Sequence, residues 1–512
     1  MGRDGTRAPD CLTATETEIS GGMPRRAICY AASGSFACLA LVLLVGLVRR
    51  AFSFVVFPDE LHALDAIGQW VGGRGGTLPQ NYHGYGSSWW LLLSAVFREF
   101  RPTLYFHLGA DGKTFPMVTP SSTVVYATIF AGRLCSVAAL LAAVAYAAFT
   151  GKHLVNRLLV CGILVLPLVW WNGKWLSPDF FAIGCAIVAA SLLTQRSNLW
   201  ALFFLGAAVG LRLSNLATLS GFFALAALGQ PISVHSLVRS AAAALAGYVA
   251  ANPYIVTNFP AALHNAVGMA ELPVRTWDNT VVVVGRSLFG NHLEWDLAAT
   301  GSIVHWWGGL LLPAALMLGL CHEKKYRVLA AILGSFLLGL AAVGFRGLGY
   351  GWYFSPTVAA SYVLAVKSLD FQAWSVGLRR AALAVFCMAL AASGATSWQE
   401  HHALQTREAE LLRYQQNAAF FQQAVNEMKA NDTLLLLVDA GSTMFELPQV
   451  KFANLHESLA MLADPASLNM SRSLVVSTVE MERQSSDIRR FLQYLREHGA
   501  RVTTEGDLII AR

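Results

Sequence analysis

The sequence is dominated by apolar runs that recur from residue 27 almost to residue 400. The first is residues 27–48, and the others lie at about 124–149, 157–171, 180–195, 199–211, 214–229, 238–254, 303–320, 328–345, 352–366 and 381–397. The longest runs reach the roughly 20 residues that a helix needs to cross the hydrocarbon core of a bilayer. With 55% hydrophobic and 13% charged residues, the composition is far from that of a soluble protein. The pattern predicts a polytopic α-helical membrane protein.

The basic residues between the runs predict its orientation. They cluster in every second loop, at Lys152 with Arg157, Arg196, Arg239, Lys324-Lys325 with Arg327, and Arg379-Arg380. Because loops on the inner side are enriched in Lys and Arg, we place all of these inside. This gives about eleven transmembrane helices, with the N-terminus inside and the C-terminus outside. It requires that the short apolar piece 89–97 does not cross alone.

Composition divides the chain into three parts. Residues 1–24 are polar and predict a disordered cytoplasmic tail, and residues 25–397 form the membrane domain, with a long outer loop at 49–122. The run 27–48 is read as a retained helix, because it is longer than a signal-peptide core and no small-residue cleavage site follows it. Residues 398–512 predict a soluble α/β domain on the outer, periplasmic side of a cell inner membrane. Its predicted elements are a polar helix at 398–430, strands at 433–438 and 473–479, a helix at 488–498, and a strand pair within 502–510.

The outer loop begins with two adjacent carboxylates, Asp59 and Glu60, directly after Pro58. Charged groups at a membrane edge lose solvation and persist chiefly where a partner, a water-filled cleft or a reaction needs them. Alternatively, the segment is only a helix start, since proline and acids suit a first helical turn. Taken alone, the segment is compatible with both interpretations.

Several cations fall on the predicted outer face, against the charge rule. A single arginine there usually has its side chain extended along apolar surface to reach water. Together with the acidic pair on the same face, the set indicates a polar cleft. Nucleic-acid binding is not expected, because the net charge is only +6 and no basic stripe is interleaved with aromatics. The cations are Lys174, Arg212, Arg275, Arg286 and Arg346.

A series of short motifs, in this order, resembles the GT-C superfamily of integral membrane glycosyltransferases. The likeness is greatest to the branch with protein O-mannosyltransferases and lipid A aminoarabinose transferases, and it covers residues 27–397. The order of the motifs is more specific than any one of them. They are Asp59-Glu60, Tyr82-His83-Gly84-Tyr85-Gly86, Ala131-Gly132-Arg133-Leu134, Ser177-Pro178-Asp179, Gly206 to Asn215, Asn252-Pro253-Tyr254, and Trp352-Tyr353-Phe354-Ser355-Pro356.

The resemblance implies inverting transfer of a hexosyl or pentosyl group from a polyprenyl-phosphate donor to a glycan, lipid or protein acceptor. It implies catalysis by Asp59 and Glu60, with Asp59 as general base and Glu60 orienting the acceptor or pairing with an arginine. The donor phosphate and sugar would be bound by Lys174, Arg212, Arg346, His83 and Tyr353.

The cofactor expectation is none, with a divalent metal left open, because Asp59, Glu60 and His62 form a thin ligand set. The eight cysteines form no close pair of the metal-binding kind. Two other classes stay open. A transporter or flippase of lipid-linked saccharides would also carry many helices and buried charges, although no inverted repeat is evident. A non-catalytic assembly subunit would have no need for an acidic pair facing several cations.

Overall fold

The computed structural model describes part of the chain. The described residues are 104–108, 114–118, 123–151, 153–166, 179–257, 303–345, 354–416, 433–436, 450–452, 473–478, 486–505 and 508–511, with isolated positions near 45 and at 169. We number the helices α1 to α13 and the strands β1 to β7 in chain order.

The helices follow the apolar runs closely. They are α1 (Thr123–Phe149), α2 (Leu154–Cys161), α3 (Asp179–Thr194), α4 (Asn198–Leu211), α5 (Asn215–Thr218), α6 (Ser220–Leu228), α7 (Val234–Ala251), α8 (Tyr254–Thr257), α9 (Ile303–His322), α10 (Tyr326–Phe345), α11 (Ser355–Ser368), α12 (Val376–Gln416) and α13 (Ser486–Glu497).

Three described stretches are long and apolar enough to cross a membrane by length and composition alone: Ile129–Phe149, Val234–Ala251 and Val376–Ala395. This agrees with the predicted helical membrane protein. The count of eleven helices stays a prediction, since the first run, 27–48, lies almost entirely outside the described residues.

Three predicted boundaries differ from the structure. The run 214–229 is divided at Leu219 between α5 and α6. The run 157–171 is not one helix, because α2 ends at Cys161 and a 3₁₀ turn follows at Gly162–Val165. The polar helix predicted to begin at 398 is instead the continuation of α12, which runs unbroken for 41 residues. After Gly394 this helix contains neither Gly nor Pro and is rich in Ala, Leu, Glu, Gln and Arg, which all favour helix. The proposed domain boundary at 397/398 therefore falls inside a helix.

The packed core lies among α1, α2, α3, α4 and α11. Helix α11 is buried over most of its length, as are the faces of α1 and α3 that meet it, and the core includes Leu140, Phe180, Ile183, Leu205 and Val363. Helices α4 and α7 approach more closely still, through Gly206, Gly210 and Gly247. A Cβ atom on Gly206 would lie 1.9 Å from the Ala244 carbonyl oxygen, and one on Gly247 would lie 1.8 Å from that of Phe203. Only glycine fits there, as is common where helices pack inside lipid.

Helices α1, α3 and α11 finish together at one end of the bundle, which we call the inner end after its predicted orientation. The Lys367 ammonium near the end of α11 donates to the Ala147 carbonyl (3.1 Å) and the Thr150 hydroxyl (2.6 Å), and also contacts the Ser191 hydroxyl. These contacts join the starts of two loops predicted to share a side, those carrying Lys152 and Arg196. The opposite end, where α3 and α11 begin and α4 stops, is called the outer end.

Two sheets are described. Strands β1 (Leu104–Leu108) and β2 (Thr114–Val118) form an antiparallel pair within the long loop. The second sheet has the order β4-β3-β5-β7-β6 and contains β3 (Thr433–Leu436), β4 (Val450–Phe452), β5 (Ser473–Thr478), β6 (Val502–Glu505) and β7 (Leu508–Ala511). Strand β3 is parallel to β4 and β5, whereas β7 is antiparallel to β5 and β6.

The strands at 433 and 473, helix α13 and the terminal strand pair match the sequence prediction, whereas β1, β2 and β4 were not predicted. Helix α13 buries Phe491, Leu492 and Leu495 on one face. It stops at Gly499, whose φ of +91° is a left-handed conformation that suits glycine. A separate C-terminal α/β domain remains a prediction.

Candidate functional site

Of the residues predicted to form the site, only Arg212 lies within the described part of the chain. Asp59, Glu60, His83, Lys174, Arg346 and Tyr353 all lie outside it, so their roles stay predictions. The site is therefore built here from what surrounds Arg212.

Arg212 follows the last residue of α4 and takes an extended backbone conformation, with φ −155° and ψ 115°. Its guanidinium nitrogen NH1 donates to the Oδ1 atom of Asp179 at 2.5 Å, and the two side chains are only 9% and 11% exposed. Asp179 is the first residue of α3, where a negative charge also favours the helix dipole. The pair thus joins the outer ends of α3 and α4 and fixes the direction of the guanidinium.

The helices that carry this pair are short for a membrane. Helices α3, α4 and α11 contain 16, 14 and 14 residues. At a rise of about 1.5 Å per residue they are roughly 21 to 24 Å long, less than the ~30 Å hydrocarbon core. Because these helices are measured from the inner end, the pair lies deeper in the bilayer than the outer end of a helix that crosses the whole hydrocarbon core. A charge pair at that depth needs protein or polar groups around it. Here the two charges contact each other, and Arg212 belongs to a polar turn.

That turn, residues 211–219, is called the elbow. It contains the four-residue helix α5 and connects α4 to α6. Its polar side chains point inward: Asn215 and Thr218 are fully buried, whereas Leu213 and Leu216 are 42% and 57% exposed. Polar side chains inside and apolar ones outside are the reverse of a soluble protein, as expected for a turn that meets lipid.

The elbow is attached to its neighbours by two hydrogen bonds. The Asn215 amide donates to the Ala208 carbonyl at 2.8 Å, and the Thr357 hydroxyl of α11 donates to the Thr218 carbonyl at 2.5 Å. Other polar atoms are not satisfied in this way. Among the described residues, five buried side-chain oxygens have no hydrogen-bond partner in the protein, and three of them, Ser214 Oγ, Asn215 Oδ1 and Thr218 Oγ1, belong to the elbow.

Two charged residues of this region were not assigned a role from the sequence. Asp179 was noted only as the start of a helix, and Arg133 only as part of a motif. Arg133 is 1% exposed and lies inside α1, 16 residues before Phe149. Helical rise puts it about 24 Å from that end of α1, close to the level of Asp179. The available signal was a charge inside an apolar run for Arg133 and a charge at the start of one for Asp179.

The described residues include no group of three or more His, Cys, Asp or Glu side chains placed to hold a metal ion. The thin set considered from the sequence, Asp59 with Glu60 and His62, lies outside those residues. What the described site offers is a fixed guanidinium beside a polar turn. Such a group makes charge-assisted hydrogen bonds to phosphate or carboxylate oxygens.

No protein-family model matches this sequence, and no curated protein matches it. The fold is similar to several solved structures. ArnT from Cupriavidus metallidurans in the apo state has 13% identity and a TM-score of 0.48, with 94% of this chain and 98% of that chain covered. The same protein bound to undecaprenyl phosphate has 11% identity and a TM-score of 0.46, with 95% and 98% covered.

Two other proteins show a comparable likeness. Arabinofuranosyltransferase AftD from Mycobacteria has 14% identity and a TM-score of 0.46, with 95% of this chain but 38% of that one covered. The oligosaccharyltransferase AglB from Archaeoglobus fulgidus has 11% identity and a TM-score of 0.40, with 92% and 74% covered. A likeness at this level concerns the fold alone. At such identities, and with TM-scores below 0.5, no residue role is transferred from them to this chain.

Proposed function

We propose that this protein is a membrane glycosyltransferase that moves a sugar from a polyprenyl-phosphate donor to an acceptor at the outer face of a cell inner membrane. Arg212 binds the donor phosphate, with Lys174, Arg346, His83 and Tyr353 completing the phosphate and sugar site. Asp59 is the general base and Glu60 orients the acceptor. The active site and residues 398–512 lie on the periplasmic side.

The observation that carries this proposal is the buried Arg212–Asp179 pair. It lies deeper than the outer end of a helix that would cross the whole hydrocarbon core. A lipid-linked sugar phosphate has an anionic head and a tail too apolar for water. Its recognition requires a cation close to the hydrocarbon level, beside a surface that accepts the tail. The pair supplies the cation, and the exposed Leu213 and Leu216 on the lipid side of the elbow supply apolar surface next to it.

The chemistry follows from the departing group. As the bond between the anomeric carbon and the phosphate breaks, negative charge grows on the phosphate oxygens, and a guanidinium already held in place stabilises it without further reorganisation. A carboxylate that removes the proton of a hydroxyl acceptor contributes roughly 10²- to 10⁴-fold in rate. The two roles need separate groups, one cationic and one anionic. The sequence provides the second as Asp59.

The decisive experiment is substitution of Asp59 in the purified, membrane-reconstituted protein. Asp59→Asn keeps the shape of the side chain but takes no proton at neutral pH, so we expect transfer from a labelled polyprenyl-phosphate sugar to fall by at least about 100-fold with donor binding little changed. Asp65→Asn, six residues further on and outside the proposed site, is the matched control and should be silent.

Other results would change the role of Asp59 or the proposed function. If the acceptor is already ionised, Asp59→Asn lowers the rate only modestly and Asp59→Ala lowers it further. If Asp59→Ala folds, inserts and transfers sugar at the unmodified rate, Asp59 has no catalytic role and the segment is a helix start. Saturable movement of the lipid across the membrane without turnover would instead identify a carrier of lipid-linked saccharides.

A further inference from the structure

Three buried oxygens without a partner lie within five residues of each other, on the turn that also carries Arg212. A buried polar group without a hydrogen bond is unfavourable for folding, and native proteins contain few of them. In the described part of the chain the remaining two belong to other elements, Asn156 to α2 near the inner end and Ser361 to the middle of α11. Their concentration in the elbow calls for an explanation specific to that place.

The elbow oxygens share one side of the turn. Ser214, Asn215 and Thr218 are spaced i, i+1 and i+4, which in a helical turn places Ser214 and Thr218 above one another with Asn215 beside them. Asn215 Oδ1 is a carbonyl oxygen and can only accept hydrogen bonds, while the amide nitrogen of the same side chain donates to the Ala208 carbonyl. The two hydroxyls both donate and accept. This set of acceptors and donors fits adjacent hydroxyl groups, as found on a sugar ring.

We infer that Asn215 and Thr218, with Ser214 at the rim, form a subsite that binds hydroxyl groups of the donor sugar while Arg212 binds the phosphate. This inference rests on the proposed function and adds to it a specificity-determining role. Thr218 is well placed for such a role, since its carbonyl is fixed by Thr357 while its own hydroxyl has no partner among the described residues. The backbone is held, and the hydrogen-bonding capacity of the hydroxyl is unused within the described part of the chain.

The inference makes a statement about stability as well as binding. If Thr218 Oγ1 serves only to bind a ligand, removing this oxygen does not lower the stability of the ligand-free protein. Thr218→Val replaces the hydroxyl by a methyl of nearly the same size, and losing an unpaired buried oxygen is neutral or stabilising. A hydroxyl that serves the fold, directly or through a bridging water, would behave in the opposite way, because its loss lowers stability.

The test uses the full-length protein in lipid nanodiscs and three probes: polyprenyl phosphate without sugar, polyprenyl-phosphomannose and polyprenyl-phosphoarabinose. The wild type should bind at least one sugar-bearing lipid more tightly than polyprenyl phosphate. Thr218→Val should weaken that lipid about 3- to 10-fold, the equivalent of one lost hydrogen bond, and leave polyprenyl phosphate unchanged. The melting temperature should stay the same or rise.

Two control variants isolate the effect. Thr218→Ser keeps the hydroxyl and should bind like the wild type. Ser361→Ala removes another buried hydroxyl without a partner, deeper in α11, and should alter neither binding nor melting temperature.

Several outcomes overturn the inference. The subsite is excluded if the wild type binds lipids with and without sugar equally well. It is also excluded if Thr218→Val binds all three probes like the wild type. A Thr218→Val protein that melts earlier and loses affinity for all probes equally has a purely structural Thr218. Arg212→Ala separates this failure from failure of the proposed function. If that variant binds all three lipids more weakly, the phosphate role of Arg212 stands whatever the result for Thr218. If the wild type binds none of the probes, both the subsite and the proposed function are wrong.

Discussion

The two ends of the helix bundle use buried polar residues in opposite ways. At the inner end, the Lys367 ammonium has three oxygen neighbours for its three N–H donors, from Ala147, Thr150 and Ser191. There too the Asn156 amide nitrogen donates to the carbonyls of Val366 and Leu369, at 2.7 and 2.9 Å, while its Oδ1 atom has no hydrogen-bond partner among the described residues. Each of these contacts connects separate helices. Polar residues at the inner end hold the bundle together.

At the outer end, the polar residues do not complete one another in this way. Arg212 and Asp179 form a buried ion pair, which is expensive to desolvate and often no better for stability than a hydrophobic pair. Next to it, the elbow retains three oxygens without partners among the described residues. Such an arrangement does little for the fold, and proteins commonly accept this cost at functional sites. The difference supports the proposal that the outer end binds a ligand, whereas the contacts at the inner end stabilise the fold.

The largest expected effect is at the outer ion pair. Arg212→Ala leaves the Asp179 carboxylate buried without the guanidinium charge, so we expect a loss of about 3–5 kcal/mol in the free energy of unfolding, together with weak donor binding. The double variant Arg212→Met with Asp179→Leu replaces the pair by apolar side chains and should recover most of that stability but none of the donor binding. Thermal unfolding and donor affinity, measured on the same reconstituted samples, separate the two.

A double variant that binds and transfers the donor normally would contradict this comparison. The ion pair would then be a structural contact, equivalent to those of Lys367 at the inner end. A double variant that stays as unstable as Arg212→Ala would instead show that the pair is needed for the packing of α3 against α4.

Sequence reasoning reached the membrane helices because their signal is local. An apolar run and its flanking charges are contained within some 20 residues, and the described helices α1, α3, α4, α7, α9, α10 and α11 lie within a few residues of the predicted runs. Errors arose where a boundary depends on something other than hydropathy. Helix α12 changes from apolar to polar at about residue 397 without a break, since nothing in the backbone requires one.

The site was harder to predict because it is made of contacts between distant parts of the chain. Arg212 was selected as an unusual cation on the outer face, but its partner Asp179 lies 33 residues earlier. No spacing rule connects an acid at the start of one helix to a base at the end of the next. Likewise, Thr218 and Asn215 are unremarkable in the sequence, and only their burial and lack of partners draw attention to them.

A smaller effect is expected at the inner end. Lys367→Met keeps most of the side-chain length but loses all three contacts of the ammonium, so we expect about 1–3 kcal/mol less stability. Donor affinity and turnover per folded molecule should not change, because Lys367 is ten residues, or about 15 Å along α11, from Thr357 at the elbow. Lys325→Met, an exposed lysine in a loop also predicted to be inside, is the control and should leave the melting temperature unchanged. Loss of donor binding in Lys367→Met would mean that the two ends are coupled.

The smallest effect is expected for a single hydroxyl, and it gives the finest test of the comparison. The Tyr362 hydroxyl is buried in α11 and donates to the Leu159 carbonyl of α2 at 2.5 Å. That carbonyl also accepts the backbone N–H of Gly162, so Tyr362→Phe leaves it bonded and should cost only about 1 kcal/mol of stability, without any change in donor affinity. Thr218→Val also removes one buried hydroxyl, with the opposite expectation of unchanged stability and weaker binding of the sugar-bearing lipid. Measured side by side, the two variants compare a hydroxyl with a partner and one without. If both lower the melting temperature and neither alters binding, the elbow hydroxyl serves the fold as Tyr362 does, and the outer end is not specialised for binding.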